Sequence, residues 1–512
     1  MILNNEKDIW NFFDNLRSNV PFYGFASFCV RLLFMKFMFQ FEETSKKEDF
    51  KTLVQYMNMF ASKKIDQDAL AKTMDIAEKY YATPKGCLRE AFLNEKEFLD
   101  CFDKNSSKLF DILNSIELPT DKESIDLLFN LIFSFSNNSD VSRTVLNTTN
   151  ESVLSLANRI LDVKPTETFL DAYCGYFSSS LKINAKKYVG YEINPLTASI
   201  AVMVQILSGN EDFEIYIQDF IQQGAEYKCD KFFADGPLGM NVSDSQKSPY
   251  GRRSEVYSLL RGADAKRAVV LVPSVILTSA DSLKKLRESF TATHLVAVIA
   301  LPPLWAPYTS INMNVVVLEK EKKSNDVIFI NTSDNSFAVR PDKKSYMLKE
   351  DTISKIMDAL EGNIDNVISK RVKDDDVLKS ESVSWAPQHY IKTESKVEFR
   401  SIAEIDKELK LVNEQLRQYI KFSDGDESKK FEDAITHYNE HLMMLEKRNE
   451  ELQCRIKDME TKYLYTQELC AKKTAELKEA ESRFNLMQKD LAAKEQNLHL
   501  LEEELKKKKS LS

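Results

Sequence analysis

The sequence is poor in glycine, and it lacks paired cysteines and metal-ligand spacings. Only 12 of its 512 residues are glycine, so a glycine in a turn is informative about the backbone there. The seven cysteines include no Cys-x-x-Cys pair, and the five histidines have no ligand spacing with them. This pattern excludes a zinc site, so we expect no metal centre in a protein of the reducing cytoplasm.

A long apolar run is also missing. The most apolar stretch, residues 25–41, is interrupted by Arg31 and Lys36, which excludes a membrane span, and no signal peptide is evident. A formal net charge of −9 argues against wrapping nucleic acid with the whole surface. A local basic patch, or a partner that carries the main DNA-binding surface, remains open.

The chain is long enough for two or three domains, and its periodicity changes along its length. Residues 1–145 place apolar residues at helical spacing and predict an all-helical N-terminal domain. Residues 146–335 alternate strands with helices and predict an α/β domain. Residues 336–421 are mixed and polar, and we interpret them as a docking segment, with an extended stretch at 384–391, followed by a helix at 402–421.

Four predicted strands of the α/β domain run into acidic residues at their carboxyl ends. These residues are Asp171, Glu192, Asp219 and Asp235. A turn of small residues that contains Gly175 follows the first strand, as in nucleotide-binding α/β units. Because parallel strands end at one edge of a sheet, we expect the four acids to face one crevice.

Three further strand-like runs complete the predicted sheet. They cover residues 268–272, 294–301 and 314–319, and the last two are separated by a loop rather than by a long helix. Seven strands with a final antiparallel pair are typical of class I methyltransferases, whose sheet is Rossmann-like. The count favours that fold over a dehydrogenase-type nucleotide-binding unit.

Residues 430–508 carry a strict 3–4 repeat of apolar residues. Of the 22 seam positions from Phe431 to Leu505, only four are not apolar, which predicts a long coiled coil. Asn449 occupies an a position when Ile435 and Leu442 do, and a buried Asn there favours a parallel pair in one register. An antiparallel hairpin partner and a single solvated helix are the alternatives to self-association or partner binding.

On these motifs the chain resembles the modification (M) subunit of type I restriction–modification systems, in the adenine-N6 DNA methyltransferase family. The likeness rests on the turn from Asp171 to Ser178, the run Tyr-Glu-Ile-Asn-Pro that contains Glu192, and the downstream segments 268–277 and 301–311. It extends over residues 1–421. The family implies S-adenosylmethionine as methyl donor and the exocyclic amine of a flipped adenine as acceptor.

The resemblance also implies roles for individual residues. Asp171, Gly175, Glu192, Asp219 and Phe220 match cofactor-binding positions, with Glu192 on the ribose and Phe220 stacked on the adenine ring. The catalytic loop follows in the sequence Asp-Gly-Pro-Leu. In that loop, Asp235, Pro237 and Leu238 match the residues that hold the target amine and its base.

Both motifs depart from the family pattern. Phe177 and Ser178 replace glycines, and we expect the Phe177 ring to occupy cofactor space or to force the turn open. Gly236 replaces a proline and is expected to loosen the catalytic loop. Leu238 replaces an aromatic ring, a loss of about 1–3 kcal/mol of base stacking.

These features lead to one functional interpretation and its alternative. The first is an M subunit of a type I-like restriction–modification or defence complex, impaired or inactive in catalysis, which reaches DNA through a specificity-type subunit. The alternative is a catalytically dead scaffold that assembles partners through residues 430–508. A fully active DNA methyltransferase would have to tolerate the departures at Phe177, Gly236 and Leu238. A small-molecule methyltransferase fits poorly with the long helical N-terminal domain. The basic residues of the segment 247–253 are consistent with a contact to DNA phosphates, and the alternative is an ordinary solvated loop.

Overall fold

The computed structural model describes residues 2–17, 24–40, 50–137, 149–223, 227–242, 248–280, 282–304, 311–340, 346–365, 367–380 and 382–391. All of them lie in one compact unit, residues 1–395. The predicted helix at 402–421 and the predicted coiled coil at 430–508 lie outside the described residues and stay predictions.

Seven helices form the N-terminal part of the described chain. They are α1 (Glu6–Arg17), α2 (Phe25–Gln40), α3 (Phe50–Ser62), α4 (Gln67–Tyr80), α5 (Cys87–Leu93), α6 (Lys96–Ser115) and α7 (Lys122–Asn137). The predicted helical N-terminal region is confirmed. Helix α2 is buried along most of its length, which explains its nearly continuous apolar sequence, and its Arg31 is neutralised by Glu95. No described helix has the length and apolarity needed to cross a membrane.

The strands that follow form one large, mostly parallel sheet. They are β1 (Thr168–Asp171), β2 (Lys187–Glu192), β3 (Phe213–Ile217), β4 (Lys231–Ala234), β5 (Arg267–Pro273), β6 (Leu295–Ala300), β7 (Met313–Leu318), β8 (Asp326–Asn331) and β11 (Ser369–Lys373). Their order is β11-β8-β6-β7-β5-β4-β1-β2-β3. A separate antiparallel pair consists of β9 (Ala338–Val339) and β10 (Met347–Leu348).

The predicted antiparallel pair is confirmed, but the predicted strand count is wrong. Strand β7 runs antiparallel to β6, as expected, and it also pairs in antiparallel with β5. The sheet has nine strands rather than seven, because β8 adds in parallel to β6 and β11 adds in antiparallel to β8. Strand β11 belongs to the stretch that we interpreted as a docking segment. Its sequence, Ser-Lys-Arg-Val-Lys, has the basic residues of a protected edge strand rather than an apolar pattern.

Helices cover both faces of the sheet. They are α8 (Glu151–Leu161), α9 (Pro195–Leu207), α10 (Phe220–Gln223), α11 (Ser254–Gly262), α12 (Ser274–Thr278), α13 (Ser282–Thr293), α14 (Glu350–Leu360), α15 (Asp374–Lys379) and α16 (Pro387–Tyr390). Apolar residues of α8, α9 and α14 share one buried cluster with the N-terminal helices, and those of α11, α12 and α13 share another. Alternate strand residues contribute to the two clusters, so the sheet is buried on both faces and is open to ligands at its edge.

A buried arginine attaches the last described segment to this frame. Arg287 of α13 is fully buried, and its guanidinium donates hydrogen bonds to the backbone carbonyls of Ile276, Ser279, Ser382 and Val383. The planar guanidinium reaches several carbonyls at once, which an ammonium group cannot do. Arg287 therefore joins α12, α13 and the segment that enters α16.

We expect Arg287→Lys to lower the free energy of unfolding by about 2–4 kcal/mol, because it leaves buried carbonyls without donors. Chemical denaturation of the full chain measures this loss. Arg89→Lys is the matched control, since the Arg89 guanidinium is exposed and forms an ion pair with the similarly exposed Asp75. It should change stability by less than about 1 kcal/mol. Equal effects of the two changes would contradict the anchoring role of Arg287.

Candidate active site

The strand order reverses between β1 and β4, and this reversal defines the position of the site. Strand β1 pairs in parallel with β2 on one side and with β4 on the other, so the connections that follow the two strands leave in opposite directions. A crevice at the carboxyl ends of the strands is the usual ligand site of such a sheet. Asp171 ends β1 and Asp235 directly follows β4, so the two carboxylates flank this crevice.

Asp235 is held in place by a residue from outside the sheet. The hydroxyl of Thr149, just before α8, donates a hydrogen bond of 2.6 Å to Asp235 Oδ2. Burial raises the pKa of Asp235, and the Thr149 hydrogen bond acts against that rise. The second carboxylate oxygen stays available as an acceptor in the crevice.

Asp171 is the most deeply buried of the four acids. Its carboxylate accepts hydrogen bonds from the Tyr173 N–H and from the Ser179 hydroxyl. Burial is the main reason that the pKa of Asp171 rises to about 7; the two hydrogen bonds act against the rise, and the nearby charges of Asp235 and Glu192 add to it. The structure therefore brings three of the predicted site residues within electrostatic reach of one another.

Glu192 and Asp219 lie at the same edge, beyond β1. Glu192 ends β2 and accepts hydrogen bonds from the backbone N–H groups of Asn194 and Gly175. Burial raises the pKa of Glu192. Asp219 follows β3 and accepts a hydrogen bond of 2.9 Å from the Ile221 N–H at the start of α10. Gly175 has a φ of 53°, so this turn uses the left-handed conformation that favours glycine.

Phe220 lies in an aromatic cluster rather than at the surface. Only 3% of the residue is exposed, and its ring contacts those of Tyr173, Tyr191 and Phe232 at centroid distances of 5.7, 5.1 and 5.8 Å. Stacking of this ring on an adenine stays a prediction, and it requires the cluster to open.

Phe177 behaves differently from our expectation. Its ring is fully buried in the core and stacks on Phe169 at 6.2 Å, so it neither occupies the crevice nor opens the turn. Its φ is 60°, the left-handed conformation of a glycine. The turn therefore keeps a backbone suited to glycine, and packing of the Phe177 ring offsets the strain of about 1–2 kcal/mol.

Hydrogen bonds join the segment after Asp235 to α11, and the expected loosening by Gly236 stays a prediction. The hydroxyl of Ser254 at the start of α11 donates to the Pro237 carbonyl at 2.7 Å, and the Gly239 N–H donates to Glu255 at 2.7 Å. The Ser254 N–H also donates to the Met240 carbonyl. Leu238 is 38% exposed, so an aliphatic side chain stands at the mouth of the site.

Position 236 has no room for a side chain, which we did not predict. Its φ lies outside the left-handed region, so the backbone conformation does not require glycine. A Cβ atom at this position would lie 2.5 Å from the nearest ring carbon of Tyr173, a distance too short for two non-bonded carbon atoms. The signal in the sequence was the bulky side chain of Tyr173 in the turn that follows Asp171.

The site fits S-adenosylmethionine only in part. Glu192 and Asp219 are partly exposed and offer carboxylate acceptors for a ribose and an adenine. The ring of Tyr173 lies against Gly236, two residues beyond β4, and takes space at the end of that strand. Among the described residues no cluster of His, Cys, Asp and Glu could hold a metal ion. Lys247 lies outside the described residues, so a phosphate contact at 247–253 stays a prediction.

Comparison with known proteins gives one family match and shared folds. Residues 256–399 match the family described as N-6 DNA Methylase. The fold is similar to that of the type I restriction-modification system methyltransferase subunit from Streptococcus thermophilus, with a TM-score of 0.57 and 17% identity. That match covers 76% of this chain and 98% of the other.

A second solved structure has the same fold. It is described as "Structural basis underlying complex assembly and conformational transition of the type I R-M system" and gives a TM-score of 0.56 at 15% identity, covering 82% of this chain and 98% of the other. No curated protein matches the chain. The family match and the shared fold confirm the resemblance predicted from the sequence.

Asp171→Asn should change how stability depends on pH. A carboxyl group whose pKa rises from 3.8 to about 7 on folding binds more protons in the folded chain, so it costs stability as pH rises through that window. The free energy of unfolding of the Asn variant relative to wild type should therefore increase by roughly 2–3 kcal/mol between pH 5 and pH 8. Urea denaturation at both pH values measures it. An equal difference at the two pH values would contradict the buried state of Asp171.

Phe177→Gly restores the residue that the backbone conformation favours, yet we expect it to destabilise the chain. Relief of strain contributes about 1–2 kcal/mol, whereas loss of a buried phenylalanine costs about 3–5 kcal/mol. Lys182→Gly is the matched control, because Lys182 is exposed with a φ of 62°. The control should be neutral or slightly stabilising in thermal unfolding. A stabilised Phe177→Gly variant would show that the ring does not pack as described.

Proposed function

We propose that this chain, with its match to N-6 DNA methylases and its type I methyltransferase-subunit fold, acts as an M-type subunit of a type I-like restriction–modification or defence complex, impaired in cofactor binding and catalysis. Its target chemistry is that of adenine-N6 methylation of DNA. The proposal concerns residues 1–421, to which the resemblance extends.

One observation carries the assignment of the site. Asp171 and Asp235 flank the crevice at the reversal of strand order, with Glu192 and Asp219 on the neighbouring strand ends. Asp235 provides a carboxylate that can accept a hydrogen bond from an exocyclic amine, and Thr149 fixes its position. The Pro237 carbonyl lies two residues further in the same loop; it accepts a hydrogen bond from Ser254, and its second lone pair offers a further acceptor.

Two features support impairment rather than full activity. The half-buried Tyr173 ring lies against Gly236 in the crevice, which leaves less room for a cofactor. Leu238 cannot stack on a flipped base as an aromatic side chain does, which removes about 1–3 kcal/mol of base holding.

The proposed route to DNA uses a second protein. The net charge of −9 does not favour DNA wrapping by this chain alone. The solved relatives are described as a methyltransferase subunit and as part of complex assembly in the type I system. We therefore propose a specificity-type subunit as partner. The alternative, a scaffold acting through a coiled coil at 430–508, rests on residues outside the described part of the chain, and no feature of the described part favours it.

Two measurements on the full chain test this function. Calorimetry with S-adenosylmethionine should give a dissociation constant of roughly 1 mM or weaker, and micromolar binding would contradict the impairment. Co-expression with a specificity-type protein encoded beside this chain should yield a complex that binds duplex DNA. Failure to form any such complex, by a chain that is folded, would contradict the assignment as an M-type subunit.

A further inference from the structure

We propose that the ring of Tyr173, and not Phe177 or Leu238, limits binding of S-adenosylmethionine, because it plugs the crevice between β1 and β4. This inference rests on the proposed function and names the residue that impairs it. Tyr173 lies two residues after Asp171, so its position follows directly from the end of β1.

The ring of Tyr173 connects three of the motifs that surround the crevice. One side of it lies against the backbone of Gly236, so close that a Cβ there would meet three ring carbons within 3.0 Å. Its plane is nearly perpendicular to the Phe220 ring, at a centroid distance of 5.7 Å. Its hydroxyl hydrogen-bonds with Ser258 of α11 at 3.1 Å. The ring is thus fixed from the β3 end, the β4 end and α11.

Those contacts place the ring at the point where a ligand binds in an open α/β sheet. The crevice at the reversal of strand order lies between the ends of β1 and β4, and Gly236 is the second residue after β4. The backbone N–H of Tyr173 also donates to Asp171, which fixes the start of the side chain at the first carboxylate. The Tyr173 ring therefore reaches from the end of β1 to the backbone that follows β4, and it takes space at this strand edge.

The side chains of Phe177 and Leu238, which also depart from the family pattern, do not take part in this contact. The Phe177 ring points into the core and stacks on Phe169. The Leu238 side chain is 38% exposed and belongs to a loop held by α11. Neither residue contributes an atom to the contact between Tyr173 and Gly236.

Tyr173 and Gly236 form a compensated pair. The φ of Gly236 lies outside the left-handed region, so its backbone conformation does not require glycine. The tyrosine ring instead takes the volume that a side chain at 236 would need. A proline or alanine at 236 fits only when the ring is gone. Restoring the family's proline at 236 alone should therefore damage the site rather than repair it.

Tyr173→Ala tests the plug through binding. Calorimetry and the thermal shift with S-adenosylmethionine should show an affinity at least about tenfold higher than in the wild-type chain, equivalent to about 1.4 kcal/mol. Tyr173→Phe keeps the ring and loses only the hydroxyl bond to Ser258, so its affinity should equal that of wild type. Tyr80→Ala, an exposed tyrosine of the N-terminal helices, is the control for the substitution itself.

A double-mutant cycle with Gly236→Ala tests the position of the ring without any ligand. The alanine should lower the melting temperature of the wild-type chain, because its Cβ meets the ring, and should leave that of the Tyr173→Ala chain unchanged. This readout depends only on packing. It stays informative even where no variant binds the cofactor.

The outcomes separate the plug from the proposed function. A gain in Tyr173→Ala that is absent in Tyr173→Phe, together with coupling to Gly236, supports the inference. Absence of coupling, or a folded Tyr173→Ala chain that binds no better than wild type, overturns the plug and leaves the M-type assignment standing. The assignment fails on different evidence, namely a folded chain that forms no complex with a specificity-type protein and DNA.

Discussion

The parallel pairing of β1 with its two neighbours is the constraint on which the rest of the structure depends. Strands β2 and β4 lie on opposite sides of β1. The connections that follow β1 and β4 therefore run in opposite directions, and a crevice opens between the carboxyl ends of these two strands. Helices bury both faces of the sheet, so its carboxyl edge is the place where strand-end side chains meet solvent and one another. Asp171 and Asp235 lie there because each ends or follows one of the central strands.

Concentrating acids at this edge costs stability. Burial raises the pKa of Asp171 to about 7, which means that the folded chain resists ionising a residue that is charged when unfolded. Hydrogen bonds from the Tyr173 N–H and the Ser179 hydroxyl offset part of this cost. A cluster of carboxylates in a half-buried crevice is suited to a ligand that carries positive charge or several hydrogen-bond donors, which agrees with the proposed cofactor class.

Departures from the family pattern are reconciled with the fold by local packing. Phe177 keeps the left-handed φ of a glycine and directs its ring into the core. Gly236 makes room for the Tyr173 ring, and the loop after it is held by hydrogen bonds with Ser254 and Glu255 of α11. Local packing thus maintains the backbone of the site, which agrees with a methyltransferase-type frame that has the impaired cofactor binding we propose.

Sequence periodicity by itself determined the helical N-terminal region, the first seven strands and the placement of Asp171, Glu192, Asp219 and Asp235 at strand ends, because these features depend on residues close together in the chain. It missed β11, whose short basic sequence becomes a strand only by pairing with β8. It also misplaced the Phe177 ring and overlooked the Tyr173–Gly236 contact. Those features depend on packing between residues far apart in sequence, such as 173, 236 and 258, and only the tertiary structure decides which of them touch.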